Sequence, residues 1–424
     1  MEKRKKKYWK ILLILLLLSA AGNLAGCIPK FCDWYTDHIY CLIEGGISRL
    51  TAPVPVAVGE LLMYLGVLMV LLAVLFLILL LFLRKKQGYR RFCRGYYKTF
   101  LMTLICVVFV YTFFWVIPFR GTVLGKGERD LRTEFTFEEV RALTVYAADG
   151  INAAAEEIEI TADGKVTFPT IAENQPKIAA AMQALSGDYP RLNGYYPPVK
   201  TALCSDILDR MGIGGYNYIY TMEPMRNKYL APIFQPVLDA HELSHHKGYY
   251  KENEANFLSQ LALSQSDDPY LRFSGFYDMF NYMNDTYLDA QDALLTEMEA
   301  QGTLNLPEFR DNMTKEEFMA TAQERYRILV EICGEEPGIS ERAGRILDSA
   351  FQIEREIYQA DSHPIDEMPA VQEVIQETAD TGWETQGAVL QENSYDGVTL
   401  LLLQYFDGKL YGEGTEKQFS AFMR

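Results

Sequence analysis

Residues Leu61–Leu83 run for 23 positions without a charge. A helix of that length spans the hydrocarbon of a bilayer, so the membrane constrains this chain before any other feature does. Two further apolar segments flank the run. Ile11–Leu24 follows the basic stretch KRKKKYWK, and Phe100–Ile117 carries Tyr111 and Trp115 near one end, with Phe119 just beyond, where an aromatic belt belongs. The pattern predicts three N-terminal transmembrane helices over 1–30, 61–83 and 99–118. A short loop at 31–60 and a basic loop at 84–98 connect them. The basic loop holds Arg84, Lys85, Lys86, Arg90, Arg91, Arg94 and Lys98 and no acid, and the N-terminus is also basic. The positive-inside rule puts both in the cytoplasm. The expected localisation is therefore a multi-pass protein of the cell membrane, with residues 31–60 and 119–424 extracytoplasmic. LAGC at 24–27 has the form of a lipobox, in which Cys27 would carry lipid after cleavage; an uncleaved first helix delivers the chain to the same side.

Charge divides at the same boundary. Residues 1–120 hold 16 Lys+Arg and 5 Asp+Glu, leaving 24 and 51 for the remainder, a net of −27. So acidic a region excludes a nucleic-acid partner, which needs clustered Lys and Arg. It suits solubility outside the membrane, or attraction of cationic substrates or calcium. The cysteines form no framework. Cys32 and Cys41 are near enough in sequence to pair, Cys204 and Cys333 are a remote option, and no CxxC pair marks a second metal site.

The region from 119 to 424 reads as mainly α with a small β-sheet. Capping boxes at Thr136–Glu139 and Thr314–Glu317 open helices running to about Ile158 and over 315–334. Further helices are predicted over 171–186, 268–285, 286–301 and 339–360. IGGYNYIYT at 213–221, glycines followed by alternating aromatics, predicts a strand. SYDGVTLLLLQYF at 394–406 is apolar but too short to span a bilayer and is expected to pack on the rest.

The chemistry concentrates in HELSHH at 241–246. The chain has five histidines, and three of them fall in this hexapeptide. His241 and His245 are four residues apart, so on a helix both imidazoles face one way and can share a metal ion, with Glu242 beside them as general base for a water. A hydrolytic zinc site wants a third protein ligand and an open position. The next segment offers Glu252, with Glu254 as the alternative. Asn256, a turn beyond Glu252, would orient a ligand histidine. His246 points about 100° away from His245 around the helix and is not expected to reach the ion. Tyr249, Tyr277 and Tyr395 are candidate donors to a developing oxyanion.

From about Trp34 to Phe406 the chain resembles an uncharacterised family of bacterial membrane proteins known only by a domain of unknown function. The resemblance is carried by WYTDHIYCLI, PPVK at 197–200, YTMEPMRNKYLAPIF, HELSHHKGYYKENEANFLSQLAL, RFSGFY at 272–277 and SYDGV at 394–398. Its metal core is similar to zincin peptidases with a glutamate ligand, whose E-x-x-A/S-D/N pattern Glu252, Ala255 and Asn256 fit. HELSHHKGYYK also follows H-E-x-x-H-x-x-G-x-x up to the position where metzincin-type enzymes carry a third histidine, but that position is Lys251. The resemblance implies three membrane helices and an extracytoplasmic zincin-like metallopeptidase domain, with one zinc per chain and no named substrate. Glu223, flanked by Met222 and Pro224 where the chain departs from the usual pattern, reads as a solvated loop residue. The expected partners are the lipid bilayer and a peptide or protein substrate of the envelope. The rival reading is a catalytically inactive zincin-fold binding or sensor module, and a third is a structural protein stabilised by a closed zinc site.

Overall fold

Three helices are long and apolar enough to cross a membrane in the computed structural model of the chain: Lys6–Ala25, Val58–Leu83 and Gln87–Phe119. The structure describes residues 2–124, 132–162, 164–361, 363, 372 and 394–412, without the side chains of 2–5 and 394–396. Helix α1 (Glu2–Ala25) is followed by α2 (Pro29–Tyr35), a π turn at Thr36–Tyr40, and α3 (Cys41–Thr51). The expected loop at 31–60 is thus largely helical. Next come α4 (Val58–Leu83) and α5 (Gln87–Tyr111), which continues through a second π turn to Phe119. Because α5 starts at Gln87, the basic stretch lies mostly on its first turns rather than in a loop. Polar side chains tie the three helices together. Tyr89 and Tyr97 donate to Phe76 O and Ala73 O of α4, at 2.8 and 2.5 Å. Asn23 Nδ2 donates to Thr112 Oγ1, and Tyr8 OH to Lys98 O. In an apolar surrounding such bonds have no competitor from water.

The part following Phe119, the head, is built from α6 (Phe137–Glu157), α7 (Ile171–Ala184), α8 (Ser205–Arg210), α9 (Gln235–His246), α10 (Glu252–Ser264), α11 (Pro269–Ala300), α12 (Lys315–Cys333), α13 (Glu341–Ala360) and α14 (Ser394–Phe406). About 70% of the described residues are helical. Both predicted capping boxes form, and a third opens α7 at Thr170 and Glu173. The two helices expected over 268–301 are one. No glycine or proline lies between Gly275 and Gly302, so nothing stops propagation. α6 lies along α11, and α9, α10 and α11 pack in sequence around one large apolar core that also takes in α13 and α14.

The sheet has three short strands: β1 (Lys200–Thr201), β2 (Gly215–Tyr218) and β3 (Glu223–Arg226), in the order β1-β3-β2. β3 is parallel to β1 and antiparallel to β2, with Gly215 opposite Arg226 and Tyr218 opposite Glu223. β2 is therefore an edge strand. Glu223 is not in a solvated loop. It is buried, accepts from Val58 N and Gly59 N at 3.1 and 2.7 Å, takes Thr221 Oγ1, and pairs with Lys200 Nζ. Its carboxylate thus caps the first turn of α4, where backbone N–H groups are otherwise unsatisfied. All seven cysteines are free, so neither possible disulfide forms.

Candidate metal site

Helix α9 ends in a Schellman turn: Tyr249 N donates to Ser244 O and Gly248 N to His245 O. Gly248 takes φ +87°, which a side chain would disfavour. The turn reverses the chain so that α10 starts at Glu252, beside the face of α9 that carries His241 and His245. His241 Nε2 lies 3.2 Å from Glu252 Oε2, and His245 Nε2 lies 3.5 Å from Glu252 Oε1. One donor atom from each of the three falls within 4.8 Å of the others.

Each imidazole is held by its other nitrogen. His245 Nδ1 donates to Tyr249 O at 2.8 Å, the carbonyl that the Schellman turn presents. His241 Nδ1 is 2.6 Å from Asn256 Oδ1, whose amide nitrogen in turn donates to Tyr282 OH. Both Nε2 lone pairs are thereby aimed at the same point as the Glu252 carboxylate. The electrostatics fit a cation there. Burial opposes charge on both groups, yet Glu252 lifts His245 to about 9, and the imidazoles hold Glu252 well below the carboxylate range. Two imidazoles and a carboxylate on the rim of an open cleft are a donor set suited to zinc with a position to spare.

The cleft has a volume of about 510 Å³. Glu242 lines it, and its Oε2 is buried with no hydrogen-bond partner. Burial pushes this carboxyl up to about 7, against the pull of His241 and His245. Gly215 of β2 lies directly over it: a Cβ there would sit 2.9 Å from Glu242 Oε1 and would collide with Met225 O. Two residues along the same strand face, Asn217 lines the cleft with both amide atoms buried and unpartnered. Asp278 of α11 lines the opposite wall, its carboxylate receiving Gln260 Nε2 at 2.7 Å.

Glu254 faces away from the three donors. It accepts Leu124 N at 2.8 Å, with Lys251 Nζ at 3.9 Å. Lys251 itself donates to Gly121 O. His246 is fully buried and meets Glu44 of α3 at 2.5 Å, on the side of α9 away from the cleft. Tyr249 and Tyr277 are not among the residues lining the cleft: Tyr249 is buried in the core, and Tyr277 packs on Phe234 and Phe273. The side chain of Tyr395 lies outside the described residues. Gly215, Asn217 and Asp278 escaped the sequence reading. Only the glycine pair before the aromatic alternation hinted at a close backbone approach.

Among curated proteins and solved structures, none matches the chain. A family profile matches residues 35–329, a span that holds α3 to α5 and the whole site but ends before SYDGV at 394–398. The chain belongs to the family described as protein of unknown function DUF3810.

Proposed function

We propose that this protein is a membrane-anchored, zinc-dependent peptidase whose head is extracytoplasmic and cuts peptides or proteins of the envelope. The observation that carries the reading is the convergence of His241, His245 and Glu252 at a cleft also lined by Glu242, whose buried Oε2 has no hydrogen-bond partner. A binding module has no use for such a base. A purely structural metal site would be closed by a fourth donor, whereas three protein donors beside an open cleft support a reactive position.

His241, His245 and Glu252 would hold the ion. Zinc there supplies an acidified water and polarisation of the scissile carbonyl. Glu242 takes a proton on Oε2 and returns it to the leaving amine, a role for which a carboxyl near neutral pKa is suited. The free edge of β2 offers backbone partners to an extended peptide, and Asn217 supplies a side-chain amide beside them. Gly215 keeps the strand close enough to Glu242 for the bond to lie over the base.

The test is metal content and peptide-library cleavage by the full chain in detergent. The reading expects about one zinc per chain, lost in His241→Ala and Glu252→Gln. Glu242→Gln should keep the metal and abolish cleavage. Zinc with no cleavage, and full biological activity in Glu242→Gln, would favour the inactive binding module instead.

A further inference from the structure

The cleft opens beside the outer end of a membrane helix. Trp115 of the α5 span lines it together with His245 and Tyr250. The Tyr250 ring lies parallel to the His245 imidazole, 6.2 Å between centroids, and its hydroxyl donates to Phe114 O at 2.8 Å. One tyrosine thus separates a metal donor from the backbone of a membrane span. Trp115 is the middle of a stacked row, 5.1 Å from Tyr111 and 4.6 Å from Phe119, the arrangement of an interfacial belt.

The edge strand leads to the same level. β2 starts at Gly215 over Glu242, and the turn after it, Ile219–Met222, packs among Ile117, Phe113, Trp115 and Phe119. Tyr218 lies on Gly59 in the first turn of α4. At ~3.3 Å per residue, the four residues from Gly215 to Ile219 put about 13 Å of strand between the base and the interfacial turn. Next to it, Glu60 of α4 accepts Leu203 N and Cys204 N at 2.7 and 2.9 Å. This fixes the start of α8 at the head of the span, where Leu203 is 57% exposed. Leu50 and Val56, on the chain leading into α4, are exposed as well. Apolar side chains bared beside the ends of membrane helices are at home against lipid.

We infer that the substrate is a membrane-tethered polypeptide, cut within about four residues of the point where it leaves the bilayer, the length of strand between Glu242 and the interfacial turn. This rests on the peptidase reading above. A tethered chain laid along β2 reaches the cleft without leaving the surface. A chain held well above the surface loses that alignment.

The experiment uses the full chain, zinc-loaded, in lipid vesicles. A peptide sequence cut in the library screen is presented free, anchored to a lipid through four residues, and anchored through a flexible spacer of about 20 residues. Lipid is attached at either peptide end in separate preparations. The short tether, at one of the two ends, should be cut about 100-fold faster than the free peptide and clearly faster than the long tether. Equal rates for short and long tethers would mean recruitment without alignment and would overturn the inference, as would a free peptide cut as fast as the short tether; both leave the peptidase reading standing. A library screen that yields no cut sequence would sink that reading and this inference with it. A second readout does not depend on activity. A nitroxide at position 203 (Leu203→Cys, with Cys27→Ser, Cys41→Ser, Cys106→Ser and Cys204→Ser) should collide more with lipid-dissolved oxygen than with an aqueous nickel chelate. The reverse preference would place the surface at the head of α4, beside the interfacial turn, in water and overturn the inference.

Discussion

At the scale of single residues, the two candidate imidazole donors are held in place by groups that are not donors themselves. Asn256 Oδ1 holds the His241 ring, and removing such a support typically lowers metal affinity ~10–100-fold. Asn256→Ala should weaken zinc retention against a competing chelator by about that factor, while Asn256→Asp, which keeps the accepting oxygen, should retain most of it. Equal loss in both variants would show that the ring is held by packing alone. Gly215 makes a second case. Its missing side chain lets β2 lie on Glu242, so Gly215→Ala should leave metal content unchanged and lower cleavage by about 100-fold, since misplacing a reacting group by ~1 Å has that order of effect. Metal analysis beside a peptide assay separates the two. The first kind of residue was legible: Glu252 and Asn256 stand at helix spacing from each other, next to two histidines at helix spacing. The second kind was not. Gly215 and Asn217 lie 24 or more residues before Glu242 or His241 and reach them only because a strand folds across the helix, a juxtaposition with no local pattern.

At the scale of elements, the strand and the metal helix are locked by one buried ion pair. Arg226 NH1 of β3 donates to both Asp239 oxygens of α9, at 2.8 and 2.7 Å, with both side chains at most 2% exposed. Breaking such a pair from one side strands a charge in the interior and costs about 3–5 kcal/mol, whereas replacing both with apolar groups of similar size is often near neutral. Arg226→Met should therefore lower thermal stability in detergent far more than Arg226→Met with Asp239→Leu. The long helix α11 is held by its first turn. Asp268 accepts from Tyr270 N and Leu271 N and pairs with Lys177. Although partial burial works against the charge, these partners hold its carboxyl below the ordinary value. A depressed carboxyl contributes stability that is fully present above the unfolded pKa of about 4 and fades as pH falls through the lower folded value. Asp268→Asn should flatten that acid limb of the melting-temperature profile, and Asp268→Ala should cost about 1 kcal/mol at neutral pH. Helix identity was readable from caps and spacing. The split expected near residue 285 was not real, because polar residues alone do not end a helix.

At the scale of the whole molecule, buried contacts tie the second of the three long apolar helices, and the segment between the first two, to the head. A unit beginning at residue 119 omits two buried carboxylates that meet it, Glu44 and Glu60, and leaves a third, Glu223, without the helix it caps. Glu223 of the head caps α4, Glu60 of α4 caps the approach to α8, and Glu44 of α3 meets the end of the metal helix. These contacts join residues more than 140 apart in sequence, so hydropathy could mark the three spans but could not tell that the segment between the first two belongs to the site's foundation. Glu44 gives the sharpest test. Its carboxylate lies 3.0 Å from Lys247 Nζ, both side chains at most 4% exposed, and 2.5 Å from His246 Nε2. Burial opposes its charge, but His246 and Lys247 together hold its carboxyl below the ordinary value. Glu44→Gln removes the anion and leaves Lys247 buried without a partner of opposite charge, a loss of about 3–5 kcal/mol. The side chain lies away from the cleft, so zinc content and cleavage at low temperature should survive while the melting temperature of the full chain drops. The fragment 119–424, which lacks Glu44 and Glu60 altogether, should fail to fold to a zinc-binding state. A fragment that binds one zinc with wild-type affinity would show that the head stands without its membrane foundation.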